Sequence, residues 1–192
     1  MKDSIKELIE HEAKAILNIP IDDEYENAVN LIVDHVHKLN GKLITSGMGK
    51  AGQIAMNIAT TFCSTGTPAV FLHPSEAQHG DLGIVQKNDI FLLISNSGKT
   101  REILELVELS KQLDPSLKFI VITSKLADVV LTTGAPEEVC ALGLAPTTST
   151  TVMNVIGDIL VVETMKKIGF TIEQYNKRHH GGYLGQRSKK LL

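Results

Sequence analysis

Three stretches of this chain set glycine or hydroxyl-bearing residues where an apolar run gives way to a helical pattern. Such strand-to-helix junctions hold anions. The first is SGMGKAG, residues 46 to 52, which follows Leu43-Ile44-Thr45. Gly47, Gly49 and Gly52 fit the G-x-G-x-x-G fingerprint of a dinucleotide turn. A nicotinamide site also needs an acidic residue at the end of the second strand, for the ribose hydroxyl. That strand ends Phe71-Leu72-His73-Pro74, and no carboxylate follows until Glu76. A nicotinamide cofactor is not expected, and Ser46, Gly47 and Gly49 become candidates for another phosphate. The second stretch, FLLISNSGKTREI over residues 91 to 103, ends like a P-loop, but that motif needs glycine where Leu93 stands. What remains is Ser95, Asn96, Ser97 and Thr100 around Gly98. Their hydroxyls, the local backbone N–H groups and a helix dipole suit a phosphate monoester. The third stretch, Thr147 to Thr151 after Pro146, opens the last helix and adds Thr148 as a candidate contact.

Groups able to move a proton lie beside these turns. Lys50 sits inside the first glycine turn and can neutralise a phosphate or an oxyanion. Glu102 falls in the first helical turn after the Ser-rich loop, where the dipole favours a carboxylate. His79 belongs to EAQHGDLG, residues 76 to 83, a polar loop too long for a plain turn. RHHGGYLG, residues 178 to 185, brings His179 and His180 before two glycines. His35 and His37 are two apart on a predicted helix and face different directions, so they are not read as ligands. No H-x-x-x-H or C-x-x-C pair occurs, and no obligatory metal is expected. A phosphate holder with a carboxylate, a lysine and loop histidines fits proton abstraction next to a carbonyl. Moving a carbonyl between C1 and C2 of a sugar phosphate needs a base to shuttle the proton and a donor to stabilise the enediolate. It needs no redox cofactor.

These junctions require a scaffold, and the apolar pattern supplies one. Ile5, Leu8, Ile9, Ala13, Ile16 and Leu17 recur at helical spacing, as do Ala28, Val29, Ile32, Val33, Val36 and Leu39. After Asn40-Gly41 short β-branched runs alternate with helical segments: Leu43–Thr45, Ala69–Leu72, Ile90–Ile94, Phe119–Thr123 and Val129–Leu131. Continuous apolar strands separated by helices of roughly 10–15 residues indicate a parallel sheet covered on both faces. A final helix is predicted from about Thr148 to Ile168, followed by a Gly-rich tail. The expected fold class is α/β: about five parallel strands flanked by helices, with an N-terminal helical pair over residues 1–40 and the α/β core and tail over 41–192. With 192 residues the chain reads as one domain. Its net charge of -3 gives no basic footprint for nucleic acid. The N-terminus has no signal-peptide core, no apolar run reaches membrane-spanning length, and Cys63 and Cys140 are expected to be buried reduced thiols. A cytoplasmic protein follows from this reading.

The motifs GMGKAG, STGTPAVFLHPSEAQHGDLG, ISNSGKTREI, LGLAPTTSTT and HHGGYLG, in that order, resemble those of the sugar-isomerase (SIS) domain of D-arabinose 5-phosphate isomerases. The resemblance spans roughly residues 40 to 187. It implies interconversion of D-ribulose 5-phosphate and D-arabinose 5-phosphate, the entry to Kdo synthesis for lipopolysaccharide, in a homotetramer with no cofactor. It places the catalytic lysine, histidines and glutamate on Lys50, His79, Glu102 and His179, and the phosphate on the Ser95-Asn96-Ser97-Thr100 loop. Glu102 or a histidine then moves the proton, and Lys50 or a histidine steadies the oxyanion. Two departures stand out. Many relatives carry a C-terminal CBS-domain pair, so regulation through that module is not expected here. The tail reads His-His-Gly-Gly where relatives have His-Pro-Gly-Gly, which leaves His179 and His180 as alternatives. Isomerisation of a heptose or hexulose phosphate, or sugar-phosphate sensing without catalysis, are the rival readings.

Overall fold

The computed structural model describes residues 1–123 and 128–192. Two helices, α1 (Lys2–Leu17) and α2 (Glu24–Ile32), come first, and α2 runs on through a π-helical turn over Val33–Lys38. Then follow β1 (Leu43–Gly47), α3 (Gly49–Ser64), β2 (Ala69–Phe71), the short α4 (Pro74–Ala77) with a 3-10 turn (Asp81–Ile84), and β3 (Ile90–Ile94). The remainder is α5 (Arg101–Leu113), β4 (Lys118–Ile122), β5 (Val129–Leu131), α6 (Thr148–Lys167), α7 (Ile172–Asn176) and α8 (Gly182–Lys189). The five strands are all parallel, in the order β2-β1-β3-β4-β5. The order reverses between β1 and β3, and crevices for ligands form at that point beyond the strand C-termini.

The alternation of side chains along each strand divides the core in two. Ile90, Leu92 and Ile94 join Leu43, Ile120 and Ile122 against α2, α3 and α6. Phe91 and Leu93 turn the other way, with Ile44, Phe119 and Val121, against α4 and α5. Gly157 lets α6 lie directly on α3: a Cβ there would come within 2.4 Å of Ile58 Cδ1. Below the sheet, buried Asp89 pins β1 to β3. Its carboxylate accepts from the Lys42 backbone N–H (2.8 Å), the Lys42 ammonium (2.6 Å) and the Gln86 N–H (2.7 Å).

The two histidines of the π-helical turn do face apart. His35 Nδ1 meets the Asn88 carbonyl and His37 Nε2 meets the Thr67 hydroxyl, each at 3.0 Å, and burial lowers the His37 pKa. The cysteine expectation is corrected. Cys63 is exposed and Cys140 half-exposed, and neither is in a disulfide. Phe62, one residue before Cys63, takes the buried phase of α3, and one residue is about 100° of helical turn. The Gly-rich tail folds into two further helices, α7 and α8. A capping box between Thr171 and Gln174 starts α7.

Candidate active site

Each segment leaving the C-terminal edge at the β1/β3 switch point is built around a backbone constraint. In the turn after β1, Gly49 takes φ 57°, a left-handed conformation that glycine adopts without steric cost. Gly47 and Gly52 allow α3 to start directly on the strand. A Cβ at residue 52 would stand 2.5 Å from the Gly47 carbonyl oxygen. These glycines serve close packing of helix on strand. Ser46 is spent in the same way: it is fully buried and its hydroxyl donates to the Leu72 carbonyl at 2.6 Å.

The groove itself lies between that turn, the loop after β3 and the first turn of α6. Its volume is about 270 Å³, and its walls include Met48, Lys50, Ser95, Asn96, Ser97 and Thr100 on one side and Pro146, Ser149 and Thr150 on the other. Larger cavities exist elsewhere, of about 550 Å³ beside Tyr25 and Lys167 and about 460 Å³ beside His11 and Pro136. Position and lining, not size, single out the groove. Thr100 occupies the N-cap position of α5 without capping it. Its hydroxyl meets that of Ser95 at 2.9 Å instead. The Ile103 N–H is bonded to the Thr100 carbonyl at 3.1 Å, so what α5 offers a ligand is the positive end of its dipole with the N–H groups of its first two residues.

The N-terminus of α6 is different. Glu138 folds back over it, accepting from the Thr147 N–H (2.7 Å), the Thr147 hydroxyl (3.0 Å), the Ser149 N–H (3.3 Å) and the Ser149 hydroxyl. Burial opposes ionisation of Glu138, but the hydrogen bonds from Ser149 and Thr147 outweigh it and hold the carboxyl below its ordinary pKa. A resident carboxylate thus takes the place of an external anion at α6. Cys140 follows two residues later. Its sulfur accepts N–H groups from Ala145 (3.1 Å) and Leu144 (3.3 Å), which lower the thiol pKa.

The groove brings together Lys50, Ser95, Asn96, Ser97 and Thr100. It does not include Thr148, whose fully buried hydroxyl donates to Glu12 Oε1 at 3.0 Å and accepts from the Val139 N–H at 3.2 Å. Its neighbours Ser149 and Thr150 line the wall instead. Glu102 sits half-buried in the first turn of α5, two residues after Thr100, and does not line the groove. His79 is exposed after α4, in a loop tied to α5 by the Gln78–Glu105 hydrogen bond (2.8 Å). His179 stacks on Tyr175, with ring centroids 3.8 Å apart, and meets the Tyr175 carbonyl at 3.0 Å; His180 is exposed. Both tail histidines follow the far end of α6. Phe170 there packs over Gly66, just past the C-terminal end of α3. Among the described residues no group of three or more His, Cys, Asp or Glu is arranged to hold a metal ion, and no helix is long and apolar enough to cross a membrane.

A family model described as the SIS domain matches residues 35–163. The chain belongs to the SIS domain family. Among solved structures, a candidate phosphosugar isomerase involved in capsule formation, from Bacteroides fragilis, is 69% identical, with a TM-score of 0.94 over 95% of this chain and 99% of that one. A protein of E. coli CFT073, solved in complex with arabinose 5-phosphate, is 35% identical, with a TM-score of 0.83 over 91% of this chain and 95% of that one. The arabinose 5-phosphate isomerase KdsD of Yersinia pestis is 45% identical over 191 residues, covering 96% of this chain and 56% of its own length. The chain spans about half the length of the curated relatives it matches. The expected SIS fold, with five parallel strands and an N-terminal helical pair, is the fold observed.

Glu138, Ser149 and Thr150 are site residues that sequence reasoning passed over. Ser149 and Thr150 lay inside the noted Thr147–Thr151 cluster, but the phase of α6 decides which hydroxyls face the groove. Glu138 stands in a stretch with neither strand nor helix pattern, and only the fold brings it to α6.

Proposed function

We propose that this chain is an aldose–ketose isomerase interconverting D-ribulose 5-phosphate and D-arabinose 5-phosphate. One observation carries the reading: the uncapped start of α5 and its hydroxyl-bearing loop share a single groove with Lys50. The 35% identical structure in complex with arabinose 5-phosphate and the KdsD relatives support the same substrate. The phosphate sits against Ser95, Asn96, Ser97 and Thr100. The sugar then extends toward Lys50.

In the ketose-to-aldose direction a base takes a proton from C1, and the electrons of that C–H bond form the C1–C2 double bond of an enediolate. The C2 oxygen carries the developing charge, which Lys50 stabilises. The C2 oxygen takes up a proton to give the enediol, and a second proton is delivered to C2 while the C1 hydroxyl loses its own and becomes the aldehyde. Glu102 supplies the base from the groove's edge, and His79 and a tail histidine supply the remaining proton transfers. The chemistry is internal to the sugar and draws on no redox cofactor or metal.

The tail histidines belong to a neighbouring copy's site. α6 has 20 residues and is therefore about 30 Å long, which separates His179 and His180 from the groove of their own chain. The chain thus works as a homo-oligomer, a tetramer, in the cytoplasm, and its product enters Kdo synthesis. The helices before Leu43 and the tail after Lys167 form part of the same catalytic unit.

Offering the purified protein ribulose 5-phosphate, fructose 6-phosphate and sedoheptulose 7-phosphate separately tests the reading. The pentose phosphate is expected to show the highest kcat/KM by roughly tenfold or more, the scale on which a pocket discriminates small additions. A higher kcat/KM on the six- or seven-carbon sugar would reassign the substrate, and no turnover of any would remove the isomerase reading.

A further inference from the structure

Helix α1 buries none of its residues fully, yet it reaches the site from outside the βα alternation. Two of its side chains grip the segment that carries Glu138. The His11 ring Nε2 donates to the Glu137 carbonyl at 3.0 Å. Glu12 Oε1 accepts the Thr148 hydroxyl at 3.0 Å, and that hydroxyl in turn accepts the Val139 N–H at 3.2 Å. The backbone is therefore held immediately before and immediately after Glu138. Glu138 itself holds the N–H groups and hydroxyls of Thr147 and Ser149, and Ser149 lines the groove.

The chemistry of Glu12 is costly for a purely structural contact. Its second oxygen, Oε2, is shielded from solvent and meets no hydrogen-bond donor among the described residues. A shielded carboxylate oxygen without a donor destabilises a fold relative to an apolar side chain of similar size. Violations of this kind concentrate where function requires a particular geometry.

We propose that Glu12 is a positioning residue for the isomerisation: through the Thr148 hydroxyl it fixes the backbone at Val139, and so sets Glu138 and Ser149 at the groove wall. This role rests on the isomerase reading above. It also assigns Thr148 a purpose other than touching substrate.

The test compares Glu12→Ala, Thr148→Val, their combination and Glu12→Gln in the whole protein. Each of the first two is expected to lower kcat roughly tenfold, within the range that a small misplacement of reacting groups produces. Competitive inhibition by inorganic phosphate should stay unchanged, since the α5 loop is untouched. The double variant should be no worse than either single one, because both break the same link. Glu12→Gln, which keeps an acceptor oxygen, should recover most of the loss. Additive losses, a Gln variant as impaired as the Ala variant, or weakened phosphate inhibition in step with kcat would each overturn the proposal. Amide hydrogen exchange gives a readout that needs no turnover. The Val139, Thr147 and Ser149 amides should exchange faster in Thr148→Val and Glu12→Ala while the middle of α6 stays protected; unchanged exchange at those amides overturns the anchoring. A wild-type protein that turns over no sugar phosphate would defeat the isomerase reading and with it the catalytic role, while the exchange measurement would still decide whether Glu12 holds the loop.

Discussion

Ser95 and Thr100 face each other across the turn between β3 and α5, their hydroxyl oxygens 2.9 Å apart. The pairing holds the loop closed and diverts Thr100 from capping its own helix. In the proposed reading a phosphate there meets the start of α5 and the hydroxyls of Ser97 and Thr100 together. Replacing Ser97 and Thr100 with alanine should therefore weaken sugar-phosphate binding, by about 1.5–3 kcal/mol for each hydrogen bond lost to the charged group. Calorimetric titration with arabinose 5-phosphate measures it. Unchanged affinity would move the anchor away from α5.

Glu102→Gln keeps the size of the side chain and removes its basicity. Turnover should fall by roughly 10²-fold or more, as for a proton-transfer group, while phosphate affinity and the unfolding midpoint hold. Near-normal kcat in a folded variant would take Glu102 out of the mechanism and leave the proton to a histidine.

Lys50→Ala and His79→Ala are each expected to be inactive alone. Lys50 lines the groove of its own chain, whereas His79 is exposed on a loop outside that groove's walls. Mixing the two variants and allowing subunits to exchange should restore part of the activity, because some hybrid sites regain both side chains. A mixture that stays inactive after exchange has been demonstrated by mass labelling would mean that Lys50 and His79 serve each site from the same chain. Light scattering that finds only a monomer would remove the oligomer as well.

Gly52→Ala tests the backbone contact under the glycine turn. Its Cβ would stand 2.5 Å from the Gly47 oxygen and 3.2 Å from the Gly47 carbonyl carbon, backbone atoms with little room to yield. Overpacking of this kind costs about 1–3 kcal/mol, read as a lower urea midpoint at unchanged slope. An unaltered midpoint would show that the turn can open without loss.

The sheet was legible because its strands are continuous apolar runs. Ile90–Ile94 and Val129–Leu131 have the same bounds in sequence and structure. Period and length arbitrate such runs well. The junction residues were legible for a related reason, since Lys50 and the Ser95–Thr100 loop follow directly from where β1 and β3 end. Helical phase was not legible at Thr148. One residue of α6 is about 100° of rotation, and packing against α1 turned Thr148 inward and Ser149 and Thr150 toward the groove. Long-range pairs were beyond any local pattern: Glu12 and Thr148 are 136 residues apart, and Glu138 carries no motif. The tail was only half legible. No helix is read from the sequence after Ile168, although Thr171 and Gln174 hold the spacing of a capping box and so mark the start of α7.

The central claim is that this groove moves a proton between C1 and C2 of a pentose 5-phosphate, and proton NMR in D₂O tests it most directly. Starting from D-ribulose 5-phosphate, the account predicts arabinose 5-phosphate with deuterium at C2, because a base that exchanges with solvent returns the proton. Starting from arabinose 5-phosphate, the same mixture should be reached from the other side. Folded protein that leaves both sugar phosphates unconverted would contradict the account.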